Sequence, residues 1–178
     1  NECIYLNATK NSTQFAKNYV TSLQMNEIFD SWETLEEENL RFHFQNKSNI
    51  KDIEDFMKIR EDAYLKTNEF FDATPFKKID FFVWDKPEEA KKFFGRELGF
   101  ANSKLCIINS RNNQTRGHEI THILSDYGIQ PIKKTRLINE GVAVFFDQTN
   151  RDRMKMANES LANKEIDIFD REKLFIDE

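Results

Sequence analysis

The sequence predicts an α+β fold, a small mixed sheet packed on one long helix and two later ones. Three observations lead there. Residues 40–45 (L-R-F-H-F-Q) alternate apolar and polar without a break, the period of a half-buried strand. Two further runs, 78–84 and 104–109, are short and rich in aromatic or β-branched residues. The stretches around them instead repeat their apolar residues at helical spacing. With 39% hydrophobic residues and 17 Phe in 178, the core suffices for one domain. No repeat is visible, and with 3 Pro and 5 Gly no linker stands out. The reading is a single domain over 1–178, in which 1–38 is an N-terminal extension, helical in tendency over 13–38 and poor in apolar anchors.

Taken in order, the strand at 40–45 puts Leu40, Phe42 and Phe44 on one face and His43 on the polar one, where a solvated imidazole is expected. Ser48 or Asn49 caps a helix running to about Phe71, with Ile53, Phe56, Met57, Ala63, Tyr64, Phe70 and Phe71 as its apolar stripe. The strand 78–84 follows. Asp85 and Pro87 open a short helix that closes near Gly95. A Gly99-Phe100-Ala101 turn leads to the strand 104–109, and the turn 110–113 to a helix through Tyr127, with Gly128 as its C-cap. Pro131 separates this from a helix starting near Thr135. Beyond it the pattern gives a polar helix, an apolar stretch at 166–169, and a terminal helix capped by Asp170.

Composition excludes several classes. A net charge of −5 argues against nucleic acid, which calls for a basic face; Lys133, Lys134 and Arg136 read as a solvated turn. No apolar run approaches the roughly 20 residues of a membrane span. The start Asn1-Glu2-Cys3 lacks an initiator Met and reads as a processed product, with an extracytoplasmic or secreted location expected. The two cysteines, Cys3 and Cys106, define neither a disulfide nor a thiolate metal site.

The informative stretch is Gly117-His118-Glu119-Ile120-Thr121-His122. Side chains at i and i+4 of a helix share a face, with Cβ atoms about 5–6 Å apart. Two imidazoles so placed can converge on one metal ion, and Glu119 points beside that axis, toward a water on the metal. A second signal lies on the next helix. Its buried face by spacing is Leu137, Glu140, Gly141 and Val144, and a carboxylate there has to be neutralised, paired with a Lys or Arg, or bound to a cation.

His118-Glu119-Ile120-Thr121-His122 followed by Asn139-Glu140-Gly141-Val142-Ala143 resembles the gluzincin branch of zinc metallopeptidases, in particular the peptidase MA-like families. Seventeen residues separate His122 from Glu140, close to the usual interval of those families. The resemblance spans roughly 78–147 and implies a zincin-like fold. It also implies Zn2+ held by His118, His122 and Glu140, with Glu119 as the base that activates a zinc-bound water for peptide-bond hydrolysis. A peptide or protein is then the substrate, and the strand 104–109 the edge to which it adds. Four residues after Glu140, where thermolysin-like members carry an Asp, stands Val144; Asp147 or Asp126 is the candidate replacement. No Tyr or His follows Glu140 to stabilise the oxyanion. Tyr127, Arg151 or Arg153, or a segment beyond Glu178 are the alternatives for that role. The second functional reading is a catalytically inactive module of the same fold that binds metal and a peptide or protein partner.

Overall fold

The computed structural model describes residues 29–114, 116–128, 135–149, 151–152, 155–156 and 158–159. Its elements are strands β1 (Glu33–Glu36), β2 (Leu40–Phe44), β3 (Ile79–Trp84), β4 (Phe100–Asn102) and β5 (Ile107–Arg111), with helices α1 (Ile53–Phe71), α2 (Pro87–Phe94), α3 (His118–Gly128) and α4 (Arg136–Phe145). The architecture is mixed α+β, as expected.

The five strands form one sheet in the order β1-β2-β3-β5-β4. The central three run parallel, and antiparallel strands close both edges. Strict alternation sorts the side chains. Leu40, Phe42, Phe44, Ile79, Phe81, Val83 and Ile108 face a core completed by Met57 and Tyr64 of α1 and Ile120, Ile123 and Leu124 of α3. The opposite face holds a smaller aromatic cluster, where Trp32, Trp84, Ala90 and Leu98 pack with Phe29, Phe82, Phe93, Phe94 and Phe100. Trp84 reaches that face with its Nε1–H donating to Asn109 Oδ1 at 3.0 Å, so the indole is buried without an orphaned donor.

Several boundaries differ from expectation. The 13–38 helix gives way, within the described part, to buried Trp32 and strand β1. Its Glu-rich sequence suits an edge strand, because charge there discourages further pairing. α1 is capped not by Ser48 or Asn49 but by Asp52, whose carboxylate accepts from Asp55 N–H; Lys47–Asn49 forms a separate 3-10 turn capped by Asn46. In the 104–109 run, Ser103–Leu105 is a 3-10 turn, Cys106 sits at φ 50, and the strand begins only at Ile107. That strand is paired on both sides, so it is not an edge. The edge is β4, formed by residues read as a turn. α2 ends as expected at Gly95, at φ 66. The readings at 129–134 and 160–178, including Lys133 and Lys134 of the basic turn, the apolar stretch 166–169 and the Asp170 cap, lie outside the described residues, as does Cys3; Arg136, read with that turn, opens α4.

Candidate metal centre

α3 carries its apolar residues Ile120, Ile123 and Leu124 into the core and turns His118 and His122 to the opposite rim, each about one-sixth exposed. Both ends of the helix are seated by close backbone contacts that require glycine. A Cβ on Gly117 would stand 2.4 Å from the Phe146 carbonyl oxygen, and the Gly117 N–H donates to Asp147 O at 3.3 Å. The start of α3 is thereby fixed to the end of α4. At the other end, a Cβ on Gly128 would lie 2.2 Å from the Phe71 carbonyl oxygen of α1. Gly128 is therefore the last residue of the helix, kept small for packing, and not its left-handed cap.

This seating brings α4 across the two imidazoles. His118 Nε2 and His122 Nε2 lie 3.2 Å apart, and Glu140 Oε2 lies 3.2 Å from the first and 3.7 Å from the second. Bonds of about 2.0–2.1 Å at tetrahedral angles place neighbouring ligand atoms about 3.4 Å apart, so the three atoms have the spacing of ligands to one zinc-sized ion. Their chemistry fits as well. Burial and the neighbouring His122 hold His118 below the usual imidazole range, which favours the neutral, ligating form. Three electron-pair donors then point at one place, and a divalent cation satisfies all of them. Among the described residues, buried His122 Nδ1 has no hydrogen-bond partner.

Glu140 reaches this point differently from the sequence expectation. Its side chain is 49% exposed, Gly141 is exposed and Val144 half-buried. α4 packs instead through Ala143, Val142 and Phe146. The carboxylate stands at the lip of the site, held toward the histidines by helix placement and not by an apolar surround.

Glu119 is the buried acid of the centre, 8% exposed. Burial pushes its carboxyl up to about 7; the Glu140 carboxylate adds to the rise and Arg96 opposes it. A group poised there can both take and return a proton near neutral pH.

The remaining candidates sort clearly. Asp147 is buried, its Oδ1 accepts from Thr149 N–H and Oγ1–H, and its charge raises the proton affinity of His118. Its charge therefore reaches a ligand ring, while its Oδ1 is engaged at the turn with Thr149. Asp126 is exposed and accepts the Ser103 hydroxyl, away from the histidines. Tyr127 is turned from the site too. Its hydroxyl donates to Ser103 O at 3.1 Å and accepts from buried Cys106 Sγ at 3.3 Å, and burial raises its pKa, so it does not serve as the oxyanion partner. Arg151 is exposed, and Arg153 lies outside the described residues. His43 is not solvated: it stacks on Phe82 and bonds to Thr34 and Asp80. Sequence reasoning missed Arg96, because one Arg after a helix-ending Gly carries no motif.

The chain matches no known family model, no curated protein and no solved structure. Among the described residues, no helix is long and apolar enough to cross a membrane.

Proposed function

We propose that this chain is a zinc-dependent peptide hydrolase of the gluzincin type, with a zincin-like fold. The observation that carries the reading is the convergence of His118 Nε2 and His122 Nε2 of α3 with Glu140 Oε2 of α4, within 3.2–3.7 Å of one another, beside buried Glu119 of α3. Zinc held there supplies a Lewis acid for the scissile carbonyl and lowers the pKa of a coordinated water toward about 7. Glu119 accepts the proton of the attacking water, and as the C–N bond breaks it passes that proton to the leaving amine. Asp147 steadies His118. The exposed side of β4 offers unpaired backbone groups to an extended peptide, which adds to the sheet as a further strand.

Elemental analysis of protein purified without chelator tests the metal, with one zinc per chain expected. Glu119→Gln tests the chemistry. It should retain zinc and lose about 100- to 10,000-fold in peptide hydrolysis, the usual worth of a general base. Hydrolysis at the parent rate would remove Glu119 from the mechanism. The second reading, a zinc-bearing module without turnover, is favoured by Tyr127, which faces the Ser103 loop and leaves the oxyanion without that partner. Stoichiometric zinc with no cleavage of a broad peptide library selects it.

A further inference from the structure

Arg96 lies between Gly95, which ends α2, and the edge strand β4. Its guanidinium is 3.8 Å over the ring of Phe100, the first residue of that strand. Stacking of this kind fixes the plane of the group while leaving its N–H edges free to donate. The side chain is exposed, and among the described residues no carboxylate pairs with it. The adjacent Glu97 is engaged elsewhere, by Lys91 at 2.7 Å and Arg111 at 3.3 Å. β4 packs beside α3, the helix that bears His118, Glu119 and His122. A planar cation is thus held at the head of the strand that a peptide would follow, and that strand runs beside the helix bearing the site.

We propose that Arg96 receives a carboxylate of the bound peptide, from an acidic side chain or a free C-terminus near the bond to be cut. The proposal rests on the reading of this site as a peptide hydrolase and names its substrate class. A guanidinium binds a carboxylate in bidentate fashion, through two parallel N–H bonds, which neither a neutral amide nor a lysine reproduces.

Two matched peptide pairs provide the test, Asp or Glu against Asn or Gln at each position flanking the cut, and free against amidated C-terminus. The parent is expected to favour the carboxylate member of one pair by about tenfold or more in kcat/KM, the scale of a charge-assisted hydrogen bond. In Arg96→Gln that ratio should fall to near one, and Arg96→Lys should restore part of it. The pair that responds identifies the source of the carboxylate. A ratio near one for both pairs in the parent overturns the proposal. So does an equal fall of kcat on charged and neutral peptides in Arg96→Gln, which would place the arginine on the reacting carbonyl.

Binding of the same peptides to zinc-loaded Glu119→Gln, followed by calorimetry, separates this claim from the one it rests on. Carboxylate-selective binding that vanishes on adding Arg96→Gln upholds the role of Arg96 even if the parent cleaves nothing. Binding without selectivity, or no binding, overturns it.

Discussion

Two places in this molecule set imidazole beside carboxylate, and they are built to opposite ends. On the second face of the sheet, His43 has both ring nitrogens occupied, Nδ1 at 3.0 Å from Thr34 Oγ1 and Nε2 at 2.9 Å from Asp80 Oδ1. Asp80 is in turn met by Lys77 Nζ at 2.5 Å, with Arg41 at 3.6 Å. Charge and hydrogen bonds close within the protein, and nothing further is needed. On the rim of α3, by contrast, His118 Nε2, His122 Nε2 and Glu140 Oε2 crowd within 3.7 Å of one another. A divalent cation would satisfy all three at once. The difference lies in the complement of donors: two cationic side chains surround the carboxylate of the first cluster, whereas no Lys or Arg pairs with Glu140 among the described residues. Proximity of His to an acid therefore says little by itself, and the bonding of every ring nitrogen says much more.

The contrast predicts its largest effect in the response to zinc. At free zinc near a thousand times its Kd, the parent should gain about 4 kcal/mol against unfolding, and a chelator should remove the gain. The double variant His118→Ala, His122→Ala should lose this response, and Glu140→Gln should lose most of it. His43→Ala should keep all of it while lowering stability in the absence of metal. Urea melts with and without zinc read both quantities. A full zinc response in the double histidine variant would place the metal elsewhere.

A finer test concerns Asp147. If its charge steadies His118 as a ligand, Asp147→Asn should weaken zinc binding by about 10- to 100-fold. The replacement keeps an amide oxygen for the Thr149 N–H, so the turn at 147–149 and the stability of the metal-free chain should change little. Competition with a chromogenic chelator measures the affinity. Unchanged affinity would show that the carboxylate serves only its turn.

What was legible in the sequence follows from how local each cause is. The helix bearing His118 and His122, the helix start near Thr135 and the alternation of β2 are short-range patterns, and the structure reproduces them. Strand β1 was hidden because Glu33 and Glu36 look like helix surface, and only pairing with β2 makes them an edge. The other edge of the sheet escapes the pattern for the same reason, since β4 is three residues long and defined by its partner β5. Glu140 does lie beside the two histidines, but not through the cause its spacing suggests, burial in an apolar stripe. Its position comes from the contact of Gly117 with Phe146, which ties α3 to α4 and which no spacing rule reveals. Arg96 depends on a stack across a loop, again a tertiary fact.

The smallest effect belongs to the closed cluster, and it has a definite sign in pH. Burial alone would raise the Asp80 carboxyl, but the hydrogen bonds from His43 and Lys77 outweigh it and leave the group below its ordinary 3.8. A carboxyl depressed in the folded state contributes stability that is complete above its unfolded pKa and is lost as pH falls through the folded one. Asp80→Asn removes the charge while retaining an oxygen for His43. At pH 7 it should cost about 1 kcal/mol, the upper range for a pair whose lysine is partly exposed. As pH falls below 3.8 the parent should approach the variant, because protonation does to Asp80 what the substitution has already done. Urea unfolding of both chains from pH 7 down to the acid limit gives the two curves. Parallel curves would mean that Asp80 carries no pH-dependent share of stability, and that the sheet-face cluster is held by packing of His43 on Phe82 and not by its charges.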